Sequence, residues 1–142
     1  MKATVVIVDE DVNARIIAET LLQVRGIDAR SAVDGTEACE IVRREGAAVV
    51  IVDLGSPGTN GLEAIRQLCG RFEALPLPAQ PRIVALTNSA APELEQFALR
   101  LGADTLLRKP VPPAQFVSMV ERLMHLPRPA STHAVGVPVM GA

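Results

Sequence analysis

Four short apolar runs of this chain each lead into polar residues that could bind a cation and a phosphoryl group. Those polar residues are Asp9-Glu10-Asp11, Asp53, Thr87 and Lys109. Carboxylate oxygens are ligands that Mg²⁺ prefers, and a carboxylate can also act as a nucleophile that accepts a phosphoryl group. A hydroxyl can donate to a phosphate oxygen, and an ammonium can neutralise its charge. The set therefore predicts a site where a divalent cation and a phosphoryl group meet.

Each of these residues also has an ordinary structural explanation. Acidic residues favour the N-terminal end of a helix, and a capping role is the interpretation that we prefer for Asp11. Asp53 could simply accept hydrogen bonds from the loop that follows it, and a lysine near a strand end is usually a solvated charge. Lys109 precedes Pro110, however, and a Lys–Pro bond can be cis, which would turn the lysine towards the cleft. Because four complementary groups each close a different strand, we favour the joint site.

Apolar runs alternate with helical periodicity along the chain, which predicts an α/β fold. The predicted strands are 4–8, 27–32, 47–52, 82–86 and 104–108, and the predicted helices are 12–25, 35–45, one that begins near Gly61, 92–101 and 113–125. Strands joined by single helices form right-handed crossovers, so the sheet should be parallel, doubly wound and covered on both faces. Ligands bind beyond the carboxyl ends of such strands, where the polar segments would meet.

Two further features of the helices follow from their sequences. We expect the first helix to present one apolar face, and glycines to end three of the helices. The expected face comprises Ile16, Ile17, Leu21 and Val24, and the glycines are Gly26, Gly46 and Gly102. Asp34 should cap the second helix, and Pro92 suits the first turn of the fourth.

The composition is that of one globular domain with an aliphatic core. The chain has 142 residues, of which 49% are hydrophobic and 21% charged, and its aromatic residues are three Phe without Tyr or Trp. We expect a single domain over residues 1–126 and a Pro- and Gly-containing linker or disordered tail over residues 127–142.

Several function classes are disfavoured by charge and hydropathy. The formal net charge is −2 and no basic stripe is present, so we do not expect direct binding of nucleic acid by this domain. No apolar run approaches the ~20 residues that span a bilayer, and the N-terminus does not resemble a secretory signal. Cys39 and Cys69 match no metal-ligand spacing and suit a reducing compartment. A cytoplasmic protein without membrane contact is therefore expected.

Residues 3–125 resemble the receiver domain of two-component response regulators in the order and spacing of their motifs. The matching motifs are the acidic segment Val8-Asp9-Glu10-Asp11, the phosphoacceptor position Asp53, Pro57 and Gly61 behind it, the helix-two opening Val33–Ala38, the switch hydroxyl in Leu86-Thr87, and Lys109-Pro110. Any one motif is a weak signal, whereas the whole set is specific. The resemblance implies a flavodoxin-like (CheY-like) five-stranded parallel sheet of order 2-1-3-4-5 with five helices.

The resemblance also implies a function, a cofactor and partners. A phosphorylated histidine on a sensor histidine kinase or a histidine phosphotransfer protein would donate to Asp53, with Mg²⁺ bound. The implied metal ligands are the side chains of Glu10 and Asp53 and the backbone carbonyl of Gly55, with Asp9 acting through water. Thr87 and Lys109 would then hold the phosphoryl group and bias the surface of helix four, strand five and helix five. That surface would contact a protein target, an output domain or a second copy, and the chain would be no enzyme beyond gaining and losing its own phosphoryl group.

Two positions depart from the family pattern. Leu106 stands where the family often has Tyr or Phe, so Phe97 or Phe116 could carry the output instead, and Asn88 replaces a small residue after Thr87. These departures support an alternative, a receiver-like interaction or dimerisation domain that works without phosphorylation. A flavodoxin-like enzyme or cofactor binder is disfavoured, because the loops contain no Gly-rich dinucleotide fingerprint. The two histidines, His125 and His133, suit surface positions.

Overall fold

A computed structural model describes residues 4–54, 61–72 and 80–125 and contains a five-stranded parallel sheet with helices on both faces. The strands are β1 (Thr4–Val8), β2 (Asp28–Ala32), β3 (Val49–Asp53), β4 (Arg82–Thr87) and β5 (Thr105–Arg108). The helices are α1 (Val12–Val24), α2 (Gly35–Glu45), α3 (Gly61–Phe72), α4 (Pro92–Leu101) and α5 (Pro113–His125). The order β2-β1-β3-β4-β5 confirms the predicted fold, and the predicted bounds match these elements to within one or two residues.

Alternate residues of the central strands fill two separate cores. Val6, Val50 and Val52 pack with α2, α3 and α4 on one face, whereas Val5 and Ile51 pack with α1 and α5 on the other. Burial on both faces explains why the central strands form unbroken apolar runs in the sequence. It also rigidly fixes where each of these strands ends, and hence where the polar residues after them lie.

The strand register brings the polar ends together. Val8 of β1 pairs with Val52 of β3, and Asp53 of β3 pairs with Leu86 of β4. Thr87 at the end of β4 pairs with Arg108 at the end of β5. The four carboxyl ends therefore lie side by side at one edge of the sheet, as the sequence predicted.

The helix ends form as the sequence predicted. Asp11 caps α1 by accepting a hydrogen bond from the Asn13 backbone N–H, and Asp34 caps α2 by accepting one from Glu37. Gly46 and Gly102 directly follow α2 and α4, and Gly26 lies two residues after α1; all three have positive φ. The cap on α1 is relevant to the site, because it fixes the turn between the acidic residues and the helix.

Most of the apolar face that the sequence predicts on α1 is exposed to solvent. Ile16, Ile17 and Val24 are 54%, 61% and 78% exposed, and the buried side chain is Leu22. Leu22 lies almost opposite the expected face on a helix with 3.6 residues per turn. The inward side holds Leu22 because that side chain joins the core of α5, while Arg15 on the same side reaches back to the end of β1. The four predicted residues therefore share one face of α1, but Ile16, Ile17 and Val24 on that face are exposed to solvent and do not join the core.

Some predictions fall on residues outside the described ranges. They concern Gly55, Pro57, His133 and the tail 127–142. In the described part of the chain, Cys39 is a buried free thiol and Cys69 a half-buried one, and His125 is exposed. None of the helices in these ranges is long and apolar enough to cross a membrane.

Candidate functional site

Three polar side chains end neighbouring strands and are almost fully buried. Asp9, directly after β1, and Asp53, the last residue of β3, are each 5% exposed, and Thr87, the last residue of β4, is 2% exposed. Burying a carboxylate is costly unless it is hydrogen-bonded or paired. Two such carboxylates side by side therefore indicate a site that serves a purpose other than packing.

Lys109 extends from the end of β5 and contacts one of these carboxylates directly. Its Nζ lies 2.7 Å from Asp53 Oδ2, with the two side chains 27% and 7% exposed. Its own backbone N–H donates to the Thr87 carbonyl at 2.7 Å, and the Lys109–Pro110 peptide bond is cis. The structure thus brings Lys109 to Asp53, as the motif predicted.

Asp9 has an unusual protonation equilibrium. The pKa of Asp9 is raised to about 6, mainly by burial and also by the adjacent Asp53 carboxylate. The Asp11 backbone N–H, which donates to Asp9 Oδ1 at 2.9 Å, and the Lys109 ammonium act in the opposite direction. We call the site formed by Asp9, Asp53, Thr87 and Lys109 the pit. It contains two carboxylates but only one ammonium, so its positive charge does not balance its negative charge.

The Thr87 hydroxyl accepts one hydrogen bond and can still donate its proton. Its Oγ1 accepts a hydrogen bond from the Ser89 backbone N–H at 3.0 Å. A hydroxyl has one donor in addition to its acceptor lone pairs, so this contact leaves the proton available for a phosphate oxygen. Asn88, between these two residues, has an exposed side chain and is free to approach a group bound at the rim.

The donor set of the pit fits a hard divalent cation such as Mg²⁺. Asp9 and Asp53 supply the carboxylate oxygens that Mg²⁺ takes as ligands, and the raised pKa of Asp9 reflects a site where added positive charge is stabilising. The Glu10 side chain is exposed, and Gly55 lies outside the described residues. Within the ranges that the structure describes, no three His, Cys, Asp or Glu side chains converge as a metal site, so the assembled part of the ligand set is the aspartate pair.

Comparison with known families decides the classification. The family model for the response regulator receiver domain matches residues 5–121 of the chain. The chain belongs to the response regulator receiver family. Receivers are the response-regulator half of two-component systems, and this one has the five-stranded order of that family.

Individual proteins are similar to the chain in sequence or in fold. Over 118 residues, the receiver is 30% identical to an uncharacterized 14.6 kDa protein from the sodA1 3' region of Leptolyngbya boryana, covering 83% of this chain and 87% of the relative. Its fold is similar to that of the chemotaxis protein CheY4 of Vibrio cholerae, with a TM-score of 0.73, 26% identity, and coverage of 87% of this chain and 99% of the other. A putative response regulator from Chloroflexus aurantiacus gives a TM-score of 0.73 at 25% identity, covering 89% and 100%.

Gly61 allows α3 to begin directly against the end of β3. A Cβ atom at this position would lie 2.7 Å from the Asp53 carbonyl oxygen and 2.7 Å from Leu54 Cδ2. No other residue type avoids that overlap without movement of the backbone. The sequence match at Gly61 thus corresponds to a steric requirement beside the strand end that carries Asp53.

Leu106, Phe97 and Phe116 lie in three different environments. Leu106 in β5 is half-buried and packs against the core shared by α2, α3 and α4. Phe97 on α4 is 45% exposed, whereas Phe116 on α5 is 6% exposed within the opposite core. Of the two rings, Phe97 is therefore the one exposed to solvent.

Arg15 is a residue of the site that the sequence analysis missed. Its Nη1 donates to the backbone carbonyl of Asp9 at 2.7 Å and to that of Glu10 at 3.1 Å. These bonds hold the acidic turn from the helix side, where no other side chain of the described residues is seen to bond either carbonyl. The signal in the sequence was its position one helical turn after the cap Asp11, which places a long side chain beside the strand end.

We expect Arg15→Met to loosen the acidic turn without unfolding the receiver. The variant loses two charge-assisted hydrogen bonds to backbone carbonyls, which contribute on the order of 1–2 kcal/mol at a half-exposed site. Denaturant unfolding should show that loss, and the Asp11 amide should exchange faster with solvent. Arg15→Lys should recover part of both effects, since an ammonium can still donate to one carbonyl. Unchanged exchange at Asp11 would contradict the role.

We expect the metal-free receiver to lose stability as the pH rises from about 4 to about 7, because of Asp9. Its folded-state pKa of about 6 lies above the ordinary aspartate value of 3.8, so the folded state binds the proton more tightly than the unfolded state does. That contribution is present below pH 3.8 and is lost as the pH rises through 6. The loss is at most on the order of 3 kcal/mol at full ionisation.

The matched measurement is the thermal midpoint of wild type and Asp9→Asn across this pH range without divalent cations. The amide does not titrate, so the difference between the two proteins should grow in favour of Asp9→Asn as the pH rises. Exposed carboxylates such as Glu63 contribute equally to both curves and cancel. A difference that is independent of pH would show that Asp9 titrates normally.

Proposed function

We propose that this receiver accepts a phosphoryl group on Asp53 from a phosphohistidine of a sensor kinase or phosphotransfer protein, with Mg²⁺ as cofactor. The observation that carries the proposal is the 2.7 Å contact between Lys109 Nζ and the Asp53 carboxylate, at a strand edge that also buries Asp9 and Thr87. A lysine held against a nucleophilic carboxylate in this way provides positive charge where the phosphoryl oxygens will arrive. No group on a separate substrate is transformed, so the protein is a signalling module rather than an enzyme.

The chemistry needs little from the protein beyond position and charge. An Asp53 carboxylate oxygen forms the bond to phosphorus while the phosphorus–nitrogen bond to the donor histidine breaks, and the imidazole leaves with the bonding electron pair. Glu10, Asp53 and the Gly55 carbonyl would hold Mg²⁺, with Asp9 acting through water. The cation supplies charge neutralisation for the transferred group. Positioning of Asp53 by the end of β3 supplies the remaining acceleration.

After transfer, two residues of the chain can bind the new phosphoryl oxygens. Lys109 already lies at the carboxylate, and the Thr87 hydroxyl still has its proton to donate. Movement of Thr87 towards the phosphoryl group would weaken its bond with Ser89 and displace the start of the segment that leads into α4. The population of surface states on α4, β5 and α5 would then shift by the difference in these contacts.

Intact-mass analysis tests the proposal. The receiver incubated with acetyl phosphate and Mg²⁺ should gain the mass of one phosphoryl group, and chelation of the metal should prevent the gain. Beryllofluoride should bind at Asp53 and prevent this phosphorylation. If wild type gains no mass with acetyl phosphate or with any phosphorylated histidine donor, the proposal fails.

Leu106 and Asn88 favour a second candidate, an interaction or dimerisation domain that works without phosphorylation. An aliphatic side chain at the half-buried Leu106 lacks the ring that could move between two positions. This candidate is disfavoured by the buried Asp9, Asp53 and Thr87 and by Lys109. Burying charged groups costs free energy, and a purely structural domain has no use for such a cluster. Mg²⁺ titration separates the two: absence of binding at millimolar concentrations supports the second candidate.

A further inference from the structure

A cavity lies between α2 and α3, away from the pit. Its volume is about 290 Å³, at the small end of the roughly 300–1,000 Å³ that ligand pockets occupy. Gly70 and Arg71 line it in the last turn of α3, whereas Asp53 adjoins the first turn of that helix. The 12 residues of α3 correspond to a length of about 18 Å, so the cavity and the pit are separate sites.

Gly70 leaves this cavity open at a cost to the helix. Glycine inside a helix is less favourable than alanine, and close packing is a common reason for it. Packing explains Gly35 on α2, where a Cβ atom would lie 2.7 Å from Ala64 Cα. At Gly70 a Cβ atom would meet nothing within 4 Å, and the φ of this residue is not positive. Neither packing nor backbone geometry requires this glycine, whereas an open cavity does.

Arg71 brings an unbalanced positive charge to the cavity. The other arginine that lines it, Arg66, donates two hydrogen bonds to Glu63, one of them 2.9 Å long. Arg71 forms no ion pair with any carboxylate of the described residues. Its charge also reaches the Cys39 thiol, which lines the cavity and is 8% exposed. Burial raises the pKa of this thiol, and the Arg71 guanidinium acts in the opposite direction.

The other polar groups of the cavity can accept and donate further hydrogen bonds. Glu40 lines the cavity, and its Oε1 accepts a hydrogen bond from Arg43 at 2.7 Å, which leaves Oε2 to accept from a ligand. Gln67 Nε2 donates to Thr36 Oγ1 at 3.4 Å, and the Thr36 hydroxyl keeps its own proton to donate. A carboxylate, an amide and a hydroxyl therefore surround the guanidinium of Arg71.

We propose that this cavity binds a small carboxylic acid with a hydrogen-bond donor beside its carboxylate, as α-amino and α-hydroxy acids have. The carboxylate would pair with the Arg71 guanidinium, whose parallel N–H groups fit its two oxygens. The neighbouring ammonium or hydroxyl would donate to Glu40, and the rest of the ligand would lie over Gly70 and the Cys39 thiol. A phosphate monoester is disfavoured, because it carries nearly two negative charges and would lie beside the Glu40 carboxylate.

Alkylation of Cys39 by iodoacetamide tests occupancy of the cavity directly. Cys69, the other free thiol, is not among the residues that line the cavity and serves as an internal control. The probes, each at about 10 mM, are the standard amino acids, lactate, glycerate, propionate and inorganic phosphate. We expect at least one α-amino or α-hydroxy acid to slow labelling of Cys39 several-fold without changing that of Cys69. The same compound should raise the thermal midpoint by several degrees, and propionate should do neither.

Substitutions in the cavity separate its parts. Arg71→Gln should weaken binding of that compound at least tenfold, whereas Arg100→Gln, which removes an exposed cation of α4, should leave it unchanged. Gly70→Leu should fill the cavity and abolish the thermal shift. Gly70→Ala should raise the thermal midpoint of the ligand-free protein, since alanine favours a helix, while it weakens binding. Glu40→Gln should weaken an amino acid more than a hydroxy acid, because an ammonium loses a charged partner.

Four results would overturn the proposal. Absence of protection of Cys39 by every amino and hydroxy acid would mean that the cavity binds neither class. Equal protection by propionate would mean that Arg71 attracts any carboxylate, and stronger protection by phosphate would mean that the class is wrong. A thermal shift that survives in both Arg71→Gln and Gly70→Leu would place the binding elsewhere. None of these measurements requires phosphorylation of Asp53, so their outcome is independent of the proposed function.

Discussion

Asp53→Asn should abolish phosphorylation of the receiver, with no mass gain under conditions that label wild type completely. An amide lacks the nucleophilic anionic oxygen that attacks phosphorus, and among the described residues Lys109 forms its ion pair with Asp53 and with no other carboxylate. The side chain keeps its size, so the buried end of β3 should stay packed. Intact mass after incubation with acetyl phosphate and Mg²⁺ gives the result directly.

The substitution also has an effect that does not involve phosphate. Asp53 is one cause of the raised pKa of Asp9, so removal of its charge should lower the pKa of Asp9, while burial still holds that pKa above the ordinary value of an aspartate. Carbon-detected NMR titration of Asp9 measures this in the metal-free variant. The matched control is Asp34→Asn, since Asn caps a helix as well as Asp does and Asp34 lies at the start of α2, outside the pit. Phosphorylation of Asp53→Asn on another residue would mean that the acceptor has been assigned to the wrong carboxylate.

The strands and the site were predictable because the burial of the strands on both faces determines both. β1, β3 and most of β4 are buried on both faces, which leaves an unbroken apolar run in the sequence, and the first polar residue after each run marks the sheet edge. Parallel strands all end at one edge, so the convergence of Asp9, Asp53 and Thr87 follows from the topology alone. The contact of Lys109 with Asp53 additionally needed the motif Lys109-Pro110, because periodicity does not tell which way a side chain after a strand turns.

The rotation of α1 was not predictable from periodicity. The sequence offers a strongly apolar arc around Ile16 and Val24, and a weaker one formed by Ala18, Leu22 and the stem of Arg15. The weaker arc faces the core because the small Ala18 allows close approach and Arg15 must reach the carbonyls at the end of β1. Those contacts depend on tertiary geometry, and a hydrophobicity pattern favours the wrong arc whenever the more apolar arc of a helix faces solvent.

The direction of the Asp9 pKa shift was predictable, but its size was not. Two acids at adjacent strand ends predict repulsion, which raises the pKa of one of them. The largest cause, however, is burial, and burial depends on how closely α1 and the loops close over the strand ends. The sequence indicates the neighbours of a carboxylate better than it indicates its distance from water.

Lys109→Met should slow phosphorylation of Asp53 by about tenfold or more and remove the response of α4 to phosphorylation. The ammonium at 2.7 Å from Asp53 Oδ2 is the one side-chain cation seen against the pit in the described residues, and losing ~1.4 kcal/mol of charge stabilisation in the transition state already slows a reaction tenfold. Amide exchange of α4 before and after beryllofluoride addition measures the response. Arg108→Met is the matched control, because it removes an exposed cation from the preceding position.

The same variant should unfold more easily in the absence of Mg²⁺. The lysine side chain is 27% exposed and its partner 7%, so the loss should lie between the ~1 kcal/mol of an exposed pair and the ~3 kcal/mol of a broken buried pair. In the Asp53→Asn background the partner carries no charge, and Lys109→Met should then cost much less. Equal costs in the two backgrounds would mean that Lys109 is not coupled to Asp53. A lysine that neutralises Asp53 before transfer and the phosphoryl group after it must show this coupling, because the same charge serves both states.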